Sequence, residues 1–121
     1  MNVVDSSGWL EYFTEGENAD FFAPVIEDTR NLVVPVICVY EVFKRILQSQ
    51  GIDVAEVRIA DLYKGNIVDL TAPLALSAAT LSAELKLPMA DSLILATARA
   101  SDAYDKSGYT IPGEKNLPAF S

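Results

Sequence analysis

Short apolar runs that alternate with longer segments of helical periodicity are the feature that most restricts the fold of this 121-residue chain. Residues 3–4, 32–34 and 67–70 have the length and composition of buried strands. In the segments that follow them, apolar residues recur with the spacing of an amphipathic helix. Strands that alternate with helices form parallel βαβ units. We therefore predict an α/β fold in which helices flank a central, mostly parallel sheet.

The helical segments have recognisable ends. A short helix is predicted around residues 9–13 and a second through 21–26, followed by helices over about 36–50, 54–64, 73–87 and 89–100. Gly51 and Pro88 act as stops. No linker or internal repeat interrupts the pattern, so we predict one domain over residues 1–121.

Three acidic residues occupy positions where a charge is unexpected. Asp5 directly follows the first strand, and Glu41 and Asp91 lie inside apolar helical segments. Ligands of parallel sheets collect beyond the carboxyl ends of the strands. Since carboxylates are rarely buried without a partner or a metal, the set predicts a divalent-ion site.

Each of these acids also has a structural interpretation. Asp5 can cap the helix that follows it. Glu41 can form an exposed pair with Arg45 one turn later. Asp91 can accept hydrogen bonds from free amides at a helix start. The metal site is favoured because neighbouring carboxylates repel one another and a divalent cation compensates.

The composition excludes several kinds of chemistry. Histidine is absent, which excludes Ser-His and Cys-His catalysis and histidine-bound zinc. The single cysteine, Cys38, lies in an apolar run and predicts a buried, inert thiol in a reducing cytoplasm. No apolar run is long enough to span a membrane. Oxygen ligands remain, and these suit Mg²⁺ or Mn²⁺.

The net charge of −8 argues against nucleic-acid binding through a broad basic surface. A phosphate-bearing substrate would need the metal ion and scattered cations to offset the repulsion. These cations are Lys44, Arg45, Arg58, Lys64 and Arg99.

Three motifs together resemble the PIN-domain nucleases, and within them the VapC-type toxins of toxin-antitoxin pairs. They are Val3-Val4-Asp5-Ser6-Ser7, Val39-Tyr40-Glu41-Val42 and Ala90-Asp91-Ser92-Leu93-Ile94-Leu95-Ala96-Thr97-Ala98. The resemblance covers about residues 1–100. It implies a PIN-like three-layer sandwich and a metal-dependent endoribonuclease, with Mg²⁺ or Mn²⁺ held by Asp5, Glu41 and Asp91 and with Ser6 as a polar neighbour. It also implies an RNA substrate, a homodimer and a VapB-like antitoxin partner.

The C-terminal segment departs from the family pattern. Members usually add an apolar strand and a turn that supplies a fourth acid, whereas residues 102–108 here are polar and turn-like and only 109–111 resemble a strand. Asp102, Asp105 and Glu114 are the candidates for this acid. We also expect residues 102–121 to be less ordered than the rest.

Two other functions are possible for a chain with these residues, and an oligomeric state is also predicted. A catalytically impaired PIN-fold protein could serve only to bind an antitoxin, and a receiver-like phosphoacceptor could use Asp69. A homodimer is also expected from the large apolar residues of the short helices, because a chain this small cannot easily bury all of them in one core. These are Trp9, Phe13, Phe21, Phe22 and Tyr63.

Overall fold

The computed structural model describes residues 1–101 and the backbone of residues 104–105. The strands in this part of the chain are β1 (Asn2–Val3), β2 (Leu32–Pro35), β3 (Asn66–Val68) and β4 (Tyr104–Asp105). The helices are α1 (Ser6–Phe13), α2 (Ala19–Glu27), α3 (Val36–Gln50), α4 (Ile52–Leu62), α5 (Ala72–Leu85) and α6 (Met89–Ala100), with a 3-10 turn at Thr29–Asn31. The predicted order of elements to residue 100 is confirmed.

The strands form one parallel sheet in the order β3-β2-β1-β4. Strand β2 is buried along its whole length, as expected for a parallel strand covered on both faces. The predicted α/β architecture, a parallel sheet flanked by helices, is confirmed. None of the helices in the described residues is long and apolar enough to cross a membrane.

Strand β4 corrects the expectation of a turn over residues 102–108. Its backbone pairs with β1, with Tyr104 opposite Asn2 and Asp105 opposite Val3. Backbone hydrogen bonds do not depend on side-chain polarity, so the open edge of β1 can pair with a locally polar segment. The strand predicted at 109–111 and the order predicted for the rest of 102–121 lie outside the described residues. The single domain over 1–121 stays a prediction for the same reason.

A proline precedes helix α3 and a glycine follows it. It starts directly after Pro35, the last residue of β2, and stops at Gly51, as predicted. Gly51 has φ +89°, a conformation that side chains with a Cβ rarely adopt. Because α4 begins at Ile52, this one glycine both ends α3 and reverses the chain.

The main core lies between the sheet and helices α1 to α4, and it also includes Ile94 and Ala98 of α6. Trp9, Phe13 and Phe22 are buried in it, three of the five large aromatic residues that one small core was not expected to bury together. Helices α1 and α2 pack against each other, and these three rings lie in one core cluster with buried residues of β1 and β2. Phe21 and Tyr63, in contrast, are each 63% exposed. The predicted buried thiol, Cys38, also lies in this core.

Candidate functional site

The three acids predicted from the sequence line one pocket of about 460 Å³. Asp5 follows β1, Glu41 lies in the second turn of α3, and Asp91 lies in the first turn of α6. Ser6 lines the same pocket, and the remaining lining residues are Ser7, Leu10, Tyr40, Lys44, Arg45, Gln48, Ala90 and Ile94. The fold thus brings together residues that are up to 86 positions apart, from Asp5 to Asp91.

Asp5 has a structural role and a place in the pocket at the same time. Its Oδ1 accepts a hydrogen bond of 2.9 Å from the Gly8 backbone N–H, so it is the N-cap of α1. Its Oδ2 accepts one of 2.8 Å from the Ser7 hydroxyl. The capping alternative is therefore correct, but it does not remove Asp5 from the pocket.

The electrostatic environment of Asp5 disfavours its charge. Burial raises the pKa of the Asp5 carboxyl above its ordinary value of 3.8, and the negative charge of Asp91 raises it further. The hydrogen bonds from Gly8 and Ser7 act in the opposite direction. Asp5 and Asp91 therefore repel each other across the pocket, and a cation placed near both would relieve this repulsion.

Glu41 is tied to the start of α1 and not to the next turn of its own helix. The Ser6 hydroxyl donates a hydrogen bond of 2.6 Å to Glu41 Oε1. No ion pair joins Glu41 to Arg45 among the described residues, which corrects the structural alternative for Glu41. Ser6 therefore fixes one oxygen of Glu41, and the sequence interpretation of Ser6 as a polar neighbour agrees with its position.

Asp91 lies at the boundary between the pocket and the core. It is half-buried, while Ile94, Leu95 and Ala98 on the predicted common face of α6 are buried. The first turn of a helix carries free backbone N–H groups, which interact favourably with a carboxylate. Helix α6 thus uses its apolar face for packing and its N-terminal end for the pocket.

A polar stripe on α3, which was not predicted, forms one wall of the pocket. Tyr40, Lys44 and Gln48 are spaced by four residues, and all three line the pocket. The Lys44 ammonium lies over the Tyr40 ring, 5.6 Å from the ring centroid. Arg45 lines the pocket as well, next to this stripe. The helical spacing of these residues was the signal that could have revealed the wall.

The other predicted cations and the rival acid lie elsewhere. Lys64 pairs with Asp61 at 3.1 Å, and the Arg58 guanidinium lies over the Phe13 ring at 5.4 Å. Asp69 is exposed after β3 and does not line the pocket, so the structure gives the receiver-like hypothesis no support. Only Lys44 and Arg45 of the five predicted cations line the pocket.

The oxygen donors of the pocket fit a hard divalent cation, although the described residues do not supply a complete set of ligands. Carboxylate and hydroxyl oxygens suit Mg²⁺ or Mn²⁺. Within the described residues, however, no three acidic or cysteine side chains converge closely enough to hold an ion. Of the candidate fourth acids, Asp102 and Glu114 lie outside the described residues, whereas Asp105 has its backbone in β4 beside Val3.

Comparisons with known proteins agree with this architecture. A family model described as the PIN domain matches residues 3–104. The fold is similar to a solved structure described as a toxin-antitoxin complex from Klebsiella pneumoniae, with a TM-score of 0.73 and 21% identity over 98% of this chain and 99% of that chain. No curated protein matches the sequence. Since the family model spans most of the sequence, the chain belongs to the PIN-domain family.

Proposed function

We propose that this protein is a VapC-type toxin, an endoribonuclease that depends on Mg²⁺ or Mn²⁺. The observation that carries the proposal is that Asp5, Glu41 and Asp91 line one pocket together with Lys44 and Arg45, in a chain of the PIN-domain family. The similarity to a structure described as a toxin-antitoxin complex supports the toxin role.

The proposed roles follow from the positions of the side chains. Asp5, Glu41 and Asp91 would be the protein ligands of the ion, with water molecules completing a coordination shell that these three acids do not complete by themselves. Ser6 would orient Glu41 through their hydrogen bond. When bound, the ion supplies an activated water and stabilises the charge on the scissile phosphate. Lys44 and Arg45 line the same pocket and would offset the repulsion between the acids and an incoming RNA phosphate.

A cleavage assay with matched acid variants tests this proposal. We expect RNA cleavage in Mg²⁺ or Mn²⁺, none in excess EDTA, and loss of cleavage in Asp5→Asn, Glu41→Gln and Asp91→Asn. Asp69→Asn is the matched control, because Asp69 is an exposed acid outside the pocket. Full activity in EDTA, or an equal loss in Asp69→Asn, would contradict the metal-dependent mechanism.

The second candidate function is a catalytically impaired PIN-fold protein that binds an antitoxin. It is favoured by the absence of a closed three-acid ligand set within the described residues. One experiment distinguishes the two functions. In it, the chain is co-expressed with the product of the neighbouring gene. Complex formation without RNA cleavage at millimolar Mg²⁺ or Mn²⁺ would support the binding module, and cleavage would support the enzyme.

The proposed partners follow from the same family relationship. They are an RNA substrate, a VapB-like antitoxin and a second copy of the chain, all in the cytoplasm, where RNA is accessible. Support for protein partners comes from exposed large apolar side chains, among them Val57, Leu76 and Met89, which are 67%, 71% and 70% exposed.

A further inference from the structure

Tyr40 stands out among the residues of the pocket because it is an aromatic residue that the core does not use. It is 60% exposed, yet it lines the same pocket as the acids and immediately precedes Glu41 in α3. Among the described residues that line this pocket, it is the only aromatic one. Core packing therefore does not explain why a large ring is found beside these carboxylates.

The contact with Lys44 restricts the ring and leaves part of it accessible. The Lys44 ammonium lies 5.6 Å from the ring centroid, within the range of a cation–π interaction. This places a positive charge on one face of Tyr40, and the exposure of the side chain leaves ring surface for a planar ligand. An aromatic ring with an adjacent cation is the combination that binds a nucleotide, through base stacking and phosphate attraction.

Helix α3 places further polar side chains along the pocket beyond the ring and its adjacent cation. Tyr40, Lys44 and Gln48 form one stripe, and Glu41 and Arg45 form the neighbouring stripe. From Tyr40 to Gln48 the helix rises about 12 Å. One face of α3 therefore presents a ring, two cations and an amide next to the acid Glu41.

We propose that Tyr40 is a positioning residue that stacks on a base next to the scissile phosphate, while Lys44 holds the ring and attracts the backbone. This inference rests on the proposed function, because it assumes that RNA enters the acidic pocket. It adds to that function a means of positioning the RNA strand, because a stacked base fixes the position of the strand relative to the acids.

Cleavage kinetics in Mg²⁺ test the proposal with a matched control. Tyr40→Ala should raise KM for a short single-stranded RNA about 5- to 150-fold, the range for loss of one stacked base. Tyr40→Phe should remain near wild type because it keeps the ring. Tyr63→Ala should also remain near wild type, since Tyr63 is similarly exposed, at 63%, but lies outside the pocket.

A binding experiment separates stacking from a general structural role. Fluorescence anisotropy in Mg²⁺ would compare a uridine 12-mer that has a cleavage-resistant backbone with the same oligonucleotide carrying abasic sites. Tyr40→Ala should weaken binding of the intact oligonucleotide and leave that of the abasic one unchanged. An equal loss for both would overturn the stacking role, as would an unchanged KM for Tyr40→Ala in an enzyme that cleaves RNA.

The failure of this inference can be told apart from the failure of the proposed function. If the wild-type chain cleaves RNA but Tyr40→Ala behaves like Tyr63→Ala, only the inference is wrong. If the wild-type chain neither binds nor cleaves RNA in Mg²⁺, the proposed function is wrong and the inference fails with it. Loss of antitoxin binding in Tyr40→Ala with unchanged RNA kinetics would assign the ring to a protein partner and overturn the proposal. Thermal unfolding of each variant controls for loss of the fold.

Discussion

At the scale of single residues, Asp5 must satisfy two requirements with one carboxylate. It caps α1 through Gly8 and Ser7, and it lines the acidic pocket opposite Asp91. Burial and the charge of Asp91 raise its pKa above 3.8. The folded protein therefore binds the Asp5 proton more tightly than the unfolded chain does, and ionisation of Asp5 lowers the free energy of unfolding.

This linkage predicts the effect of Asp5→Asn. Because the pKa of Asp5 is raised, its ionisation does not destabilise the fold below pH 3.8. The loss of unfolding free energy grows as pH rises through the raised pKa of Asp5 and is complete at neutral pH. We expect Asp5→Asn to be more stable than wild type at pH 7 in metal-free buffer, with a gain that shrinks as pH falls toward 3.8. Urea unfolding over this pH range measures the effect.

Asp5→Ala is the matched control for the cap. Asparagine keeps an oxygen that can accept from Gly8, whereas alanine does not, so Asp5→Ala should be about 1 kcal/mol less stable than Asp5→Asn. A wild type that is more stable than both variants at pH 7 would show that the ionised carboxylate stabilises the fold, contrary to this prediction.

At the scale of elements, the position of α1 depends on Gly8. A Cβ built at Gly8 would lie 2.6 Å from Val4 Cγ1 and 2.9 Å from Phe22 Cε1. The glycine therefore lets α1 approach both the end of β1 and helix α2, and this approach places Asp5 and Ser6 at the pocket.

We predict that Gly8→Ala destabilises the protein by about 1–3 kcal/mol through overpacking, although alanine favours helix formation. Ser77→Ala is the control, because Ser77 is an exposed position in α5. Urea unfolding of both variants checks the prediction. A gain of stability in Gly8→Ala would show that helix propensity outweighs the close contact.

Strand β4 gives a second prediction at the scale of elements. Its pairing places the backbone of Asp105 opposite Val3, two residues before Asp5. Because carboxyl ends of parallel strands meet at one edge of a sheet, we predict that Asp105 is the fourth acid. Asp105→Asn should lower RNA cleavage and raise the Mg²⁺ concentration needed for half-maximal cleavage more than Asp102→Asn or Glu114→Gln. The opposite order would assign the fourth acid to another residue.

At the scale of the whole molecule, exposed apolar side chains coexist with a net charge of −8. Val57, Leu76 and Met89 are the most exposed of the large apolar residues in the described part of the chain. Charge keeps a protein soluble, but exposed apolar surface favours association where two copies can exclude water.

We therefore predict a homodimer with an apolar interface. Light scattering at micromolar concentration should give about twice the chain mass of 13.1 kDa, with little change at high salt, because apolar contacts are not screened. A strictly monomeric mass under these conditions would contradict the prediction.

The sequence by itself determined the elements to residue 100 and the acidic residues of the candidate site. Buried runs such as residues 32–34 and the helical period of α3 are local signals, and both were found where predicted. The absence of histidine and the three unusual acids likewise required no coordinates. These features depend on residue type and near neighbours, which a sequence displays directly.

Only the tertiary structure decided which residues meet. The hydrogen bond between Ser6 and Glu41 joins residues 35 positions apart. The pairing of β4 with β1 could not be expected from the polar composition of its segment. Gly8 lets α1 lie close to Val4, just after β1, and to Phe22 of α2. The burial of Trp9 depends on how α1 and α2 pack on the sheet. Such contacts are fixed by the global arrangement of backbone and core, because the free energy of burial and of edge pairing outweighs local preference.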